Sequence, residues 1–221
     1  MELMAVHDAA RRLGVSDRQV RKLVASGQVV ALGRGLVDAR SLLQYQAERG
    51  RNRLRTWATP TAWAALDLLA GGSAVWLGPT QRSRLRATLA GLSAFDLVSR
   101  ARNRAVVHRF AAHRSVLNLL PALLVDAGTT GGRLGLTEQP DHVDGYLSLD
   151  DLATLTKDYG LVPEPGGSVV VRTTSFSLAA VRSIAGRSPL LAAVDLAGSL
   201  DPRERSAGLE AANQVLEEWR G

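Results

Sequence analysis

The sequence predicts an α+β fold, mostly helical, built from a small N-terminal unit and a larger mixed C-terminal region. Three observations carry this. Apolar residues recur with the 3.6-residue period of amphipathic helices along most of the 221 residues. One stretch, "SVVVRTTS" at 168–175, is rich in β-branched residues and has the length of a strand. Gly, Pro and Ser/Asp punctuation separates short elements throughout, as helix starts and stops require.

The first element follows from the stripe Val6, Ala9, Ala10 and Leu13, spaced i, i+3, i+4, i+7. Gly14 stands where a left-handed C-cap is wanted. Ser16 is a natural N-cap for a second helix, and Asp17 suits the positive end of its dipole. In that helix Val20, Leu23 and Val24 form the buried side, and Gly27 closes it. Arg18, Gln19, Arg21 and Lys22 then remain outside, near the N-terminal half. Two short helices across a tight turn, with polar side chains early in the second, have the geometry of a helix-turn-helix. Its second helix enters a DNA major groove. Arginine pairs with a guanine edge and glutamine with an adenine edge, while Lys22 suits a phosphate.

"QVVALGRGLVD" follows as a strand, a Gly33-Arg34-Gly35 turn and a return strand, a small wing with a cation at its tip. "ARSLLQYQAE" then supplies Leu42, Leu43 and Tyr45 on a short helix that closes the little core. On "AARRLGVSDRQVRKLVASGQV" and this wing, residues 3–48 resemble the excisionase/MerR-like winged helix-turn-helix family. The resemblance implies a DNA-binding domain over 1–48, with Ser16, Arg18, Gln19, Arg21, Lys22 and Arg34 as its DNA-binding residues. Residues 49–56, "RGRNRLRT", form a basic linker without an acid. Arg51, Arg53 and Arg55 either lie along DNA phosphates or are simply solvated.

Residues 57–127 form a basic, mainly helical middle region. Thr59-Pro60 opens a helix that Gly71-Gly72 stops. Pro79 opens another, with Leu85, Leu89 and Leu92 inside and Arg82, Arg84 and Arg86 outside. Ser93 caps "AFDLVSRA". "RAVVHRFAAH" suits a strand, with a helix as the alternative, and "SVLNLLPALLVDAG" is an apolar helix broken by Pro121. The arginines of this region meet flanking DNA, meet an acidic protein, or stay solvated.

Residues 128–142 are a Gly/Thr-rich boundary, and 143–221 form an α+β domain. "DGYLS" is a short strand, Ser148 with Asp151 makes a capping box, and Asp201-Pro202 starts a long helix. Leu209, Ala212, Leu216 and Trp219 line one face of that helix. Residues 143–219, above all "AAVDLAGSLDPRERSAGLEAANQVL", resemble AbiEi-type antitoxins of bacterial toxin–antitoxin operons. That resemblance implies a repressor of its own operon that counteracts a nucleotidyltransferase-type toxin. A stand-alone regulator or an excisionase-like DNA-bending protein is the alternative.

Charge distribution fits a nucleic-acid partner. Residues 1–114 carry 19 cations and 7 carboxylates, whereas 115–221 carry 8 and 14. The absence of cysteine agrees with the cytoplasm and leaves no thiolate metal site. His7, His108, His113 and His142 lack ligand spacing, and no phosphate loop, nucleophile elbow or dinucleotide fingerprint is present. The sequence therefore predicts neither an enzyme nor a cofactor or metal site. No apolar run is long enough for a membrane span. One recognition helix covers only about 4–5 base pairs, which points to paired copies on an inverted repeat or to one copy helped by the basic middle region.

Overall fold

A computed structural model describes residues 3–25, 29–39, 41–42, 45, 55–128, 141–199 and 201–221. It is α+β and mostly helical, in two units, 1–54 and 55–221.

The first unit begins with strand β1 (Leu3–Ala5), which periodicity alone did not suggest. Helix α1 (Val6–Leu13) buries Val6, Ala9, Ala10 and Leu13, the stripe expected of it. Gly14 ends it at φ 64, and its successor Val15 donates to the Ala10 carbonyl at 3.0 Å. Glycine adopts this left-handed conformation without Cβ strain, and the paired amides satisfy carbonyls the helix end leaves open. Helix α2 (Asp17–Ala25) starts two residues later and buries Val20 and Leu23. Strands β2 (Ala31–Gly33) and β3 (Leu36–Asp38) form a hairpin around Arg34 and Gly35, the glycine at φ 79. β1 pairs antiparallel with β3, giving the sheet order β1-β3-β2. Leu42 is fully buried beneath the helices and Tyr45 packs at the edge of the same core. The expected roles of Gly27, Leu43, Arg51 and Arg53 fall outside the described residues.

In the second unit, helix α3 (Thr59–Leu69) carries Pro60 in its first turn. Every residue from Ala62 to Leu69 is buried, so this is a central helix rather than a surface one. Helix α4 (Pro79–Ala90) buries only Leu85 and Leu89. Helix α5 (Ala94–Ala101) is capped as expected, Ser93 Oγ accepting the Asp96 amide at 3.1 Å. "RAVVHRFAAH" is a strand, β4 (Val106–Ala111). The segment around Pro121 is a four-residue helix α6 (Arg114–Leu117) and a 3-10 turn at Leu120–Leu123.

Strand β5 (Val143–Ser148) follows, then a 3-10 turn at Leu149–Asp151 and helix α7 (Leu152–Asp158). Here the structure differs from expectation: Ser148 makes no side-chain cap. The tight turn intervenes between Ser148 and the α-helix, so Asp151 does not occupy the third helical position a capping box needs. Short strand β6 (Val162–Pro163) and strand β7 (Val169–Thr174) come next. Helices α8 (Leu178–Arg187), α9 (Leu190–Leu196) and α10 (Pro202–Arg220) complete the chain. Asp201 caps α10 by accepting the Arg203 amide at 2.7 Å.

The strand order is β5-β7-β4-β6, with β5 parallel to β7 and the other pairs antiparallel. All six residues of β7 are buried, as befits a strand covered on both faces. One face packs Phe110, Val143, Leu147, Val169 and Val171 against Leu117, Leu120 and Leu155. The larger core joins Trp63, Leu66, Leu89 and Leu97 to Tyr146, Ile184, Leu191 and Leu216. The middle region and the C-terminal region therefore share one core. Each lacks the apolar surface to be covered alone: α3 needs α9 and α10, which the later segment supplies.

Candidate nucleic-acid interface

Helix α2 is fixed from both ends of the short turn that precedes it. Ser16 Oγ accepts the Gln19 amide at 3.3 Å, and the Ser16 carbonyl accepts the Val20 amide at 3.1 Å. The first turn of α2 is thereby tied to the residue that follows Val15. At about 100° per residue, Arg18, Arg21 and Lys22 point away from Val20 and Leu23, with Gln19 on the flank. All four are exposed. They make no ion pair or side-chain hydrogen bond with another described residue.

The surrounding charges behave differently. Arg11 reaches His7 at 2.9 Å and Asp8 at 3.7 Å, and His7 lies 3.8 Å from Asp17. Local partners occupy α1, whereas the cations of α2 have no side-chain partner among the described residues. Arg34 is exposed at the hairpin tip, and Arg55 is exposed at the start of the second unit.

The second unit holds a group of polar residues that the sequence reading missed. Arg104, Asp195, Arg172, Asp144 and Tyr146 are all buried between the sheet and the helices. Arg172 grips Asp144 with both ends of its fork, Nε to Oδ1 at 2.9 Å and Nη2 to Oδ2 at 2.7 Å. Arg104 pairs with Asp195 and donates through Nε to the Tyr146 hydroxyl at 3.2 Å. Tyr146 in turn donates to Asp195 Oδ1 at 2.7 Å. Trp63 Nε1 donates to the Arg104 carbonyl at 3.1 Å and to Thr174 Oγ1 at 3.2 Å. Burial pushes the Tyr146 phenol well above the usual tyrosine range, Arg104 opposing and Asp195 reinforcing the shift.

Two cations facing two carboxylates balance this cluster, and its members bond to one another. It aligns β5 and β7 with α9 and the turn before β4. A signal existed in the sequence: Asp144, Arg172 and Asp195 each interrupt an otherwise apolar run, in "VDGYLS", "SVVVRTTS" and "LAAVDLAG". Charges in such runs are kept when paired.

No helix among the described residues is long and apolar enough to cross a membrane. Comparison with known proteins gives no match to any family model, curated protein or solved structure.

Proposed function

We propose that the protein is a transcriptional repressor in which α1, α2 and the β2–β3 hairpin act as a winged helix-turn-helix on operator DNA. The observation carrying this reading is the set of side chains Arg18, Gln19, Arg21 and Lys22, exposed and without a partner among the described residues, on a helix anchored through Gly14 and Ser16. Arg18, Gln19 and Arg21 read base edges, Lys22 and Arg34 hold phosphates, and Arg51, Arg53 and Arg55 follow the backbone. Two copies on an inverted repeat supply the site length that one short helix lacks.

Resemblance of residues 143–219 to AbiEi-type antitoxins supports a second task for the larger unit. It counteracts a nucleotidyltransferase-like toxin encoded beside it in the cytoplasm, and the first unit represses the shared operon. A gel-shift titration with the DNA upstream of its gene tests the first task, comparing wild type with Arg18→Ala/Arg21→Ala. Equal affinity and equal sequence preference in the two proteins would reject α2 as the reader. Co-expression with the neighbouring toxin-like gene, scored as growth, tests the second.

A further inference from the structure

The basic linker ends on an arginine cluster belonging to the second unit. Trp57 donates its amide to the Arg100 carbonyl at 2.9 Å, and Thr59 Oγ1 donates to the Asn103 carbonyl at 3.1 Å. Asn103 Nδ2 donates to Thr56 Oγ1 at 3.0 Å. These bonds pin residues 56–59 along the end of α5 and the 3-10 turn Arg102–Arg104. Arg55, the last cation of the run that starts at Arg49, directly precedes Thr56, the residue bonded to Asn103, and Asn103 follows Arg102 in the chain.

The electrostatics there are one-sided. Arg55, Arg102 and Asn103 are exposed. Arg100 lies over the Trp57 ring, 5.8 Å from its centroid, and its Nε is buried without a hydrogen-bond partner. Asp96, one turn earlier on α5, forms no ion pair with Arg100. Neither Arg55 nor Arg102 has a carboxylate partner among the described residues. Cations on one edge without carboxylate partners repel one another in the free protein, and an anion bound there relieves that repulsion.

We propose that Arg55, Arg100 and Arg102, with the Asn103 amide, form a second DNA contact that binds duplex phosphates without reading sequence. The inference rests on the DNA-binding reading above and extends it to the larger unit. Guanidinium groups match phosphate oxygens in fork geometry, and the Trp57 ring holds one of them in place. DNA is favoured over an acidic protein because no large apolar side chain is exposed within 55–59 or 100–103 to serve as an interface anchor. The strip is also covalently continuous with the acid-free linker.

Full-length protein is titrated against the DNA upstream of its gene and against a random-sequence duplex over a range of salt. Each phosphate contact contributes about 0.9 to the slope of log affinity against log salt. Arg55→Ala/Arg102→Ala is expected to make the slope shallower by about two on both duplexes, leaving their affinity ratio intact. Arg55→Lys/Arg102→Lys retains the slope, and the control pair Arg182→Ala/Arg203→Ala, exposed elsewhere on the same unit, leaves it unchanged. If the alanine pair keeps the wild-type slope while Arg18→Ala/Arg21→Ala loses sequence preference, the cluster is no DNA contact and α2 stands as the reader. If the control pair flattens the slope equally, the effect is net charge and the proposal falls. If wild type shifts neither duplex, the DNA-binding reading fails and this one with it.

Discussion

Tyr146 donates its phenolic hydrogen to Asp195 across 49 positions of the chain, at 2.7 Å, inside the core of the larger unit. Asp195 also pairs with Arg104 and lies 3.5 Å from Arg172 Nε through its other oxygen. One carboxylate therefore faces two guanidinium groups and a phenol. Asp195→Asn keeps the volume and removes the charge, leaving the cluster with an excess buried cation. The expected loss is about 3–5 kcal/mol, seen as a lower urea midpoint for the full chain.

The same contact predicts alkaline sensitivity. The native phenol keeps its proton at a pH where an unfolded tyrosine, near 10.0, releases it. Above that value the unfolded chain binds fewer protons than the native one, so stability falls as pH rises. Below it, this contribution is fully present. Tyr146→Phe should lower stability at neutral pH and flatten its decline above the ordinary tyrosine range, as followed by denaturation at a series of pH values.

Gly208 places the backbone of α10 directly on α9. A Cβ there would collide with the Ala197 nitrogen and the Ala193 carbonyl oxygen, which are backbone atoms and cannot swing aside. Gly208→Ala should cost about 1–3 kcal/mol even though alanine favours the helix. A thermal melt at constant pH checks the sign, because the propensity gain alone would raise the midpoint.

Much of this architecture was legible locally. Gly14 ending α1, Ser16 and Ser93 as caps, Pro60 and Asp201-Pro202 as helix starts, and the β7 strand all depend on residues within one or two turns. The α2 surface was legible for the same reason, since the identity of Val20 and Leu23 as buried residues fixes where Arg18 and Lys22 point. β1 was not, because three residues give no period and its partner β3 lies more than thirty positions on. The Arg104–Asp195 and Arg172–Asp144 pairs were missed for a related reason. Each partner sits in a different element, and only the sheet register brings Asp144 beside Arg172. The arginine cluster at Asn103 likewise needed the hydrogen bonds of Thr56 and Trp57 to be seen.

For the proposed reader, Arg34 and Gln19 should fail differently. Arg34 is exposed at a hairpin tip, the position of a phosphate contact, so Arg34→Ala should weaken all duplexes by a similar factor and reduce the salt slope by about one. Gln19→Ala keeps the Ser16 cap, which uses only the backbone amide, and should relax preference at one base position at a cost of about 1–3 kcal/mol. Selection from a randomised duplex library distinguishes the two outcomes.

The division into units predicts that a fragment beginning at Arg55 folds with its own cooperative transition by circular dichroism. It should lose operator binding yet protect cells from the cognate toxin, whereas residues 1–54 alone should bind DNA weakly and protect against nothing. Trp219 packs on the edge of the larger core, and Trp219→Asp should abolish protection while leaving the sequence preference of DNA binding intact. A folded Arg55 fragment that fails to protect would separate the antitoxin role from this unit.

Central strand β7 has a consequence for synthesis. β4 and β5 both wait for residues 169–174 before either has its long partner, and Leu216 joins the core only more than forty residues after β7. Among the described residues, α1, α2 and strands β1–β3 of the first unit are complete by Asp38, and its core residues Leu42 and Tyr45 follow within a few positions. As the chain leaves the ribosome, the small unit completes itself while most of the larger one is still unmade. For that interval β4 and β5 expose unpaired edges to any neighbouring nascent chain. An mRNA broken or stalled within the larger unit would release a finished small unit attached to an unfinished one. A truncated message would therefore yield a product in which only the proposed reader is folded.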